Sequence, residues 1–105
     1  MRFSKRKLPK DITQLNHFRN RFYERTGHVC SKKIINQIRT GIKLRRLIKI
    51  GEQSNRVSIY DFKYQDNKYI LLYDEYRCNP ITLLFLSKEF LQENNITYIK
   101  EKVND

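Results

Sequence analysis

Three glycines, two prolines and two cysteines are all that this chain of 105 residues contains of those types. So few glycines leave no room for a Gly-rich loop that cradles a nucleotide's phosphates. Cys30 and Cys78 lie far apart, and the two histidines, His17 and His28, lack the paired spacing of zinc ligands. Free thiols in a reducing compartment are expected, with no metal and no cofactor. A nucleophilic Cys30 close to His28 would need a third, orienting group, and the sequence supplies none. No stretch approaches the roughly 18 to 20 apolar residues of a membrane span. The N-terminal Met1-Arg-Phe-Ser-Lys-Arg-Lys-Leu-Pro9 lacks the apolar segment of a signal peptide. The expectation is therefore a cytoplasmic protein without a membrane partner.

Acidic residues are scarce in one half only. Residues 1–50 hold fifteen Lys and Arg against two acids, a balance of +13, whereas residues 51–105 hold seven against nine, a balance of −2. A one-sided basic field attracts polyanions, above all nucleic acid, through release of condensed counterions. What the chain has in quantity is aromatics, seven Tyr and six Phe, each able to bury a large area. They supply the core of one modest domain.

The elements follow in order. Residues 1–10, with Arg2, Lys5, Arg6, Lys7 and Lys10 around Pro9, read as an extended basic arm, because Pro9 disfavours helix at Leu8. The arm either tracks a phosphate backbone or serves as a solubilising tail. Residues 11–105 read as a single α+β domain. Asp11 with Gln14 fits an N-cap and capping box for a helix from Ile12 to about Arg25, stopped by Gly27. Ile12, Leu15, Phe18 and Phe22 share one sector, and His17, Arg21 and Arg25 form a stripe beside it. Ser31 caps a second helix through about Arg39 that buries Ile34, Ile35 and Ile38 and ends at Gly41.

From Ile42 to Ile50 the alternation with Lys43, Arg45 and Lys49 predicts a strand with a basic face, broken at Arg46-Leu47 by a bulge or a shorter strand. Strands are also predicted over Val57–Tyr64, Tyr69–Tyr76 and Ile81–Leu86, the first two joined by a Gln65-Asp66-Asn67 loop. The apolar Tyr69–Tyr73 run marks a central strand covered on both faces. Ser87 caps a short helix through about Asn94, and a polar tail from Asn95 adds, at most, an edge strand. The expected architecture is two N-terminal helices packed on a four-stranded antiparallel meander, with a short C-terminal helix.

His17 has the intrinsic pKa of an acid or base at neutral pH, and Arg21 and Arg25 carry forks suited to phosphate oxygens. Together they meet the needs of metal-independent RNA cleavage, in which a base takes the 2′-hydroxyl proton and cations hold the charge on the phosphorane. The alternative for the same residues is a plain solvated helix face. Tyr60 and Tyr76 are candidates for base stacking, with core packing as the other use. Asp61, Asp74 and Glu75 read as charge balance against the basic helices rather than as a metal-binding carboxylate pair.

His17-x3-Arg21-x3-Arg25, the turn, Val29-x-Ser31-x2-Ile34 and the late strand Ile81-Thr82-Leu83-Leu84 together resemble small ribonucleases of the barnase–EndoU–colicin–RelE superfamily, over roughly residues 14–86. The resemblance implies His17 as the acid/base, Arg21 and Arg25 as phosphate holders, and Thr82 as a hydroxyl contact from the last core strand. Thr26-Gly27-His28 stands as an insertion against that pattern, which leaves open whether His28 shares or takes over the role of His17. Lys5, Arg6, Lys7, Lys43, Arg45, Arg46, Tyr60 and Tyr76 would bind the RNA. Two function classes follow. One is a small metal-independent endoribonuclease of toxin or phage type, held in check by an acidic antitoxin or immunity protein. The other is a non-enzymatic module that binds nucleic acid or inhibits a host complex. An adaptor for acidic proteins is a third use of the same charge.

Overall fold

Phe18 and Phe22, four residues apart and both fully buried, fix the orientation of the first helix, α1 (Lys10–Thr26). The structure, a computed structural model, describes residues 10–94. The candidate arm residues Lys5, Arg6 and Lys7 and the tail from Asn95 lie outside them. Lys10 is helical, so Asp11 sits in the first turn of α1, where its charge suits the helix dipole, rather than at the N-cap. Gln14 forms no capping box; its amide reaches Asp74, 3.1 Å away on the sheet. At the other end Gly27 takes φ +79° and donates its N–H to the Tyr23 carbonyl at 2.8 Å, the left-handed stop that its sequence position predicts.

The second helix, α2 (Lys32–Lys43), starts as expected, with Ser31 Oγ accepting from the Ile34 N–H, and buries Ile35 and Ile38. It does not end at Gly41. That glycine is buried inside the last turn, and a Cβ there would stand 3.2 Å from Leu47 Cγ. Its role is to admit Leu47 against the helix. The stop falls four residues later, at Arg45, whose φ is +60°. The Arg45 N–H donates to the Ile42 carbonyl at 3.1 Å and the Arg46 N–H to the Gly41 carbonyl at 2.7 Å, the paired bonds of a Schellman motif. An arginine holds the place glycine usually takes. Arg45→Gly is therefore expected to raise stability by about 1 kcal/mol, measurable by denaturant unfolding.

The helical turn consumes Ile42 and Lys43, which shortens the first predicted strand to β1 (Ile48–Glu52). A register shift between Lys49 and Gly51 puts the irregularity at Ile50 rather than at Arg46-Leu47. β2 (Val57–Tyr64), β3 (Asn67–Asp74) and β4 (Asn79–Phe85) complete a four-stranded antiparallel sheet in the order β1-β2-β3-β4. The β2–β3 hairpin turns on two residues, Gln65 and Asp66, both with positive φ, and Asn67 already pairs with Tyr64. β3 is central and buried from Tyr69 to Asp74.

Alternation along the strands sorts the core into two layers. Tyr60, Phe62, Tyr69, Leu71, Tyr73 and Leu83 pack against Phe18, Phe22, Ile35 and Ile38 of the helices. Ile59, Ile70 and Leu72 pack on the opposite face with Leu91 and Phe90 of α3 (Lys88–Glu93), whose N-cap is Ser87. The fold is thus α+β, two helices on one face of a four-stranded meander and a short helix on the other. Among the described residues no helix is long and apolar enough to cross a membrane.

Candidate nucleic-acid interface

The three stripe residues of α1 meet three different surroundings. His17 is exposed. Arg21 pairs with Glu24 Oε1 at 2.6 Å. Arg25 is half-buried and anchored to β4: its Nε donates to the Leu83 carbonyl at 3.1 Å, and its guanidinium carbon lies 5.3 Å from the Phe85 ring centre. The helix does meet the last strand, through the Leu83 backbone and side chain and the Phe85 ring. Thr82 pairs with Leu72, which belongs to the layer on the α3 side. Residues directly opposite on neighbouring strands share a face, so the Thr82 hydroxyl lies across the sheet from the two larger helices. The structure does not bring it together with His17, Arg21 and Arg25.

His28 is exposed in the loop between α1 and α2, its ring edge-on to Tyr64 with the centres 5.8 Å apart. Cys30 nearby is buried, and that burial pushes its thiol up to about 11 against the opposing influence of Arg19. A buried thiol held in its protonated form is a poor nucleophile.

The β3–β4 turn, residues 75–78, holds a second polar cluster. Asp74 is only 2% exposed and accepts from Gln14 Nε2 (3.1 Å), Arg56 Nη2 (3.0 Å) and the backbone N–H groups of Tyr76 (2.9 Å) and Arg77 (3.0 Å). Burial alone would raise its pKa. The Arg56 guanidinium, the Arg77 N–H and Gln14 overcome that and hold the carboxyl well below the usual carboxylate range. Arg77 continues the chain of charges to Asp11 at 3.3 Å. Among the described residues no group of three His, Cys, Asp or Glu is placed to hold a metal ion.

Of the two tyrosines singled out for stacking, Tyr60 is buried. Its hydroxyl donates to Glu75 Oε2 at 2.7 Å, and burial, with Glu75 adding to it, drives its pKa far above that of an ordinary tyrosine. Tyr76 is 79% exposed, with the Arg56 guanidinium 4.9 Å over its ring.

The largest unpaired charge lies elsewhere, on α2 and the turn that follows it. From Arg25 to Gly51 the chain carries eight Lys and Arg and no acid. Lys49 reaches out of that stretch to Glu52 at 2.6 Å. Arg39 is held by the Cys78 carbonyl at 3.0 Å and by Asn79 Oδ1. Lys32, Lys33, Lys43, Arg45 and Arg46 are exposed, and none has a carboxylate partner among the described residues. An open groove runs beside them, lined by Lys33, Asn36, Gln37, Thr40, Arg46 and the Leu47–Phe62 pair.

No family model, curated protein or solved structure matches the chain.

Three of the five exposed cations, Lys43, Arg45 and Arg46, are among the candidates read from the sequence. Lys32, Lys33 and the groove are additions. The acid-free run is visible in the sequence and was the available signal. Taking Gly41 as a helix end hid its meaning, because that put Lys43 and Arg45 on a strand, apart from Lys32 and Lys33, when one helix and its C-terminal turn carry all of them.

Proposed function

We propose that the protein is a nucleic-acid-binding module that grips the phosphate backbone with α2 and the turn after it. The observation that carries this reading is the set of five exposed cations, Lys32, Lys33, Lys43, Arg45 and Arg46, without carboxylate partners among the described residues. Charges already neutralised by internal ion pairs gain little from a polyanion. These retain their full attraction and release counterions when a phosphate replaces them. An acidic protein would compete for the same face. The test is titration of labelled RNA at several salt concentrations, with binding that weakens linearly in log salt as the expected result. Salt-independent binding, or none at low salt, would remove the proposal.

The endoribonuclease reading keeps one specific support. Both imidazoles, His17 and His28, are exposed on the basic half, where a base must lie to reach a 2′-hydroxyl. Incubation of RNA with the protein in EDTA separates the two readings. A module that only binds leaves the RNA intact. Fragments ending in 2′,3′-cyclic phosphate, absent with a His17→Ala/His28→Ala double variant, would establish the enzyme instead.

A further inference from the structure

We infer that the groove along α2 is a subsite for one unpaired nucleotide, so that the protein prefers single-stranded nucleic acid to a duplex. The inference rests on the nucleic-acid-binding reading and names the form of substrate for that same face.

Lys33, Asn36, Gln37 and Thr40 follow one another along a single side of α2, a span of about 10 Å at the α-helical rise. Leu47 and Phe62 supply the apolar part of the lining, and Arg46 adds a second cation. No carboxylate lines the groove, so nothing in it repels a phosphate or occupies the two cations. The Asn36, Gln37 and Thr40 side chains are exposed, and no hydrogen bond to another described residue occupies them. They are unspent donors and acceptors beside an apolar patch and two positive charges.

That combination suits a nucleotide better than a bare anion. Phosphate calls for the cations alone. A side-chain amide presents a donor and an acceptor in one plane, which matches the hydrogen-bonding edge of a base. In a duplex the Watson–Crick edge is spent on pairing and only the groove edges stay open. In a single strand the Watson–Crick edge is free, and the base can be splayed onto apolar side chains while its phosphate stays with the cations. Gly41 lets Leu47 lie close against the helix wall of the groove: a Cβ there would stand 3.2 Å from Leu47 Cγ, and the leucine would have to give by a few tenths of an ångström.

The test compares binding of fluorescent oligouridylate, whose bases are largely unstacked, with binding of its duplex with oligoadenylate. Asn36→Ala/Gln37→Ala keeps every cation and alters only exposed helix positions. It is expected to weaken oligouridylate binding about tenfold, as the loss of two hydrogen bonds would, and duplex binding by less than about twofold. Thr40→Leu, which narrows the groove without adding a ring for a base to stack on, is expected to reduce the preference for the single strand. Lys33→Gln/Arg46→Gln should weaken both ligands. If the amide variant lowers both ligands alike, or neither, the subsite is wrong and the nucleic-acid reading stands. If the wild-type protein binds neither ligand at low salt, both fall together.

Discussion

Replacing Asp74 by alanine is expected to cost about 2–4 kcal/mol, because it leaves two turn N–H groups and Gln14 without their buried acceptor. The carboxylate joins three parts of the chain: Gln14 of α1, Arg56 at the start of β2, and the backbone of the β3–β4 turn. Its removal orphans two N–H groups and takes one carboxylate partner from the partly exposed Arg56 and Arg77 guanidiniums. The same group sets the acid response. Its folded-state pKa lies below the unfolded value. Its contribution is therefore complete above the unfolded pKa of about 4 and is lost as pH falls through the lower folded value. Denaturant unfolding should show the wild type losing stability steeply in acid, with Asp74→Asn flatter over the same range. The two stability curves should converge as the wild-type carboxyl becomes protonated. Parallel curves down to the acid limit would show that Asp74 is not the group responsible.

The second large effect concerns binding. A Lys33→Gln/Lys43→Gln/Arg45→Gln/Arg46→Gln variant removes four exposed cations and no core contact. On duplex, each phosphate contact contributes about 0.9 to the slope of log affinity against log salt, so a fourfold rise in salt should cost the wild type about a hundredfold more affinity than the variant. Neutralising the partnered cations Arg21 and Lys49 is the control, since each already faces a carboxylate at 2.6 Å. A loss of slope per charge as large in the two-charge control as in the four-charge variant would mean that the whole positive field, rather than the α2 surface, governs binding.

Features carried by local periodicity were legible in the sequence. Phe18 and Phe22 set the inner face of α1, Ser31 and Ser87 capped their helices, and the apolar run of β3 announced a strand with both faces covered. Features that depend on a distant partner were not. Gly41 looks like a helix stop until Leu47 is seen packed on it. Arg45 gives no sign in its side chain that its backbone is left-handed. Gln14 fits a capping box by spacing, but a carboxylate 60 positions away takes its amide. The candidate site divides in the same way. Lys43, Arg45 and Arg46 are exposed as charge density suggests, while the facing of Thr82 depends on strand register, which pairs it with Leu72 on the far layer.

Arg25 on the Leu83 carbonyl and Gln14 on Asp74 span 58 and 60 residues, and that separation orders events as the chain is made. Each β hairpin can close within its own neighbourhood, but α1 must wait for Asp74 at the end of β3 and Leu83 in β4 before its polar anchors exist. At a synthesis rate of 5–20 residues per second, the helix waits about 3–12 s for those two partners. Closing a loop of that length costs more entropy than closing a hairpin, and these two contacts raise the contact order of the fold. The first helix of the basic half is thus made well before the residues that anchor it.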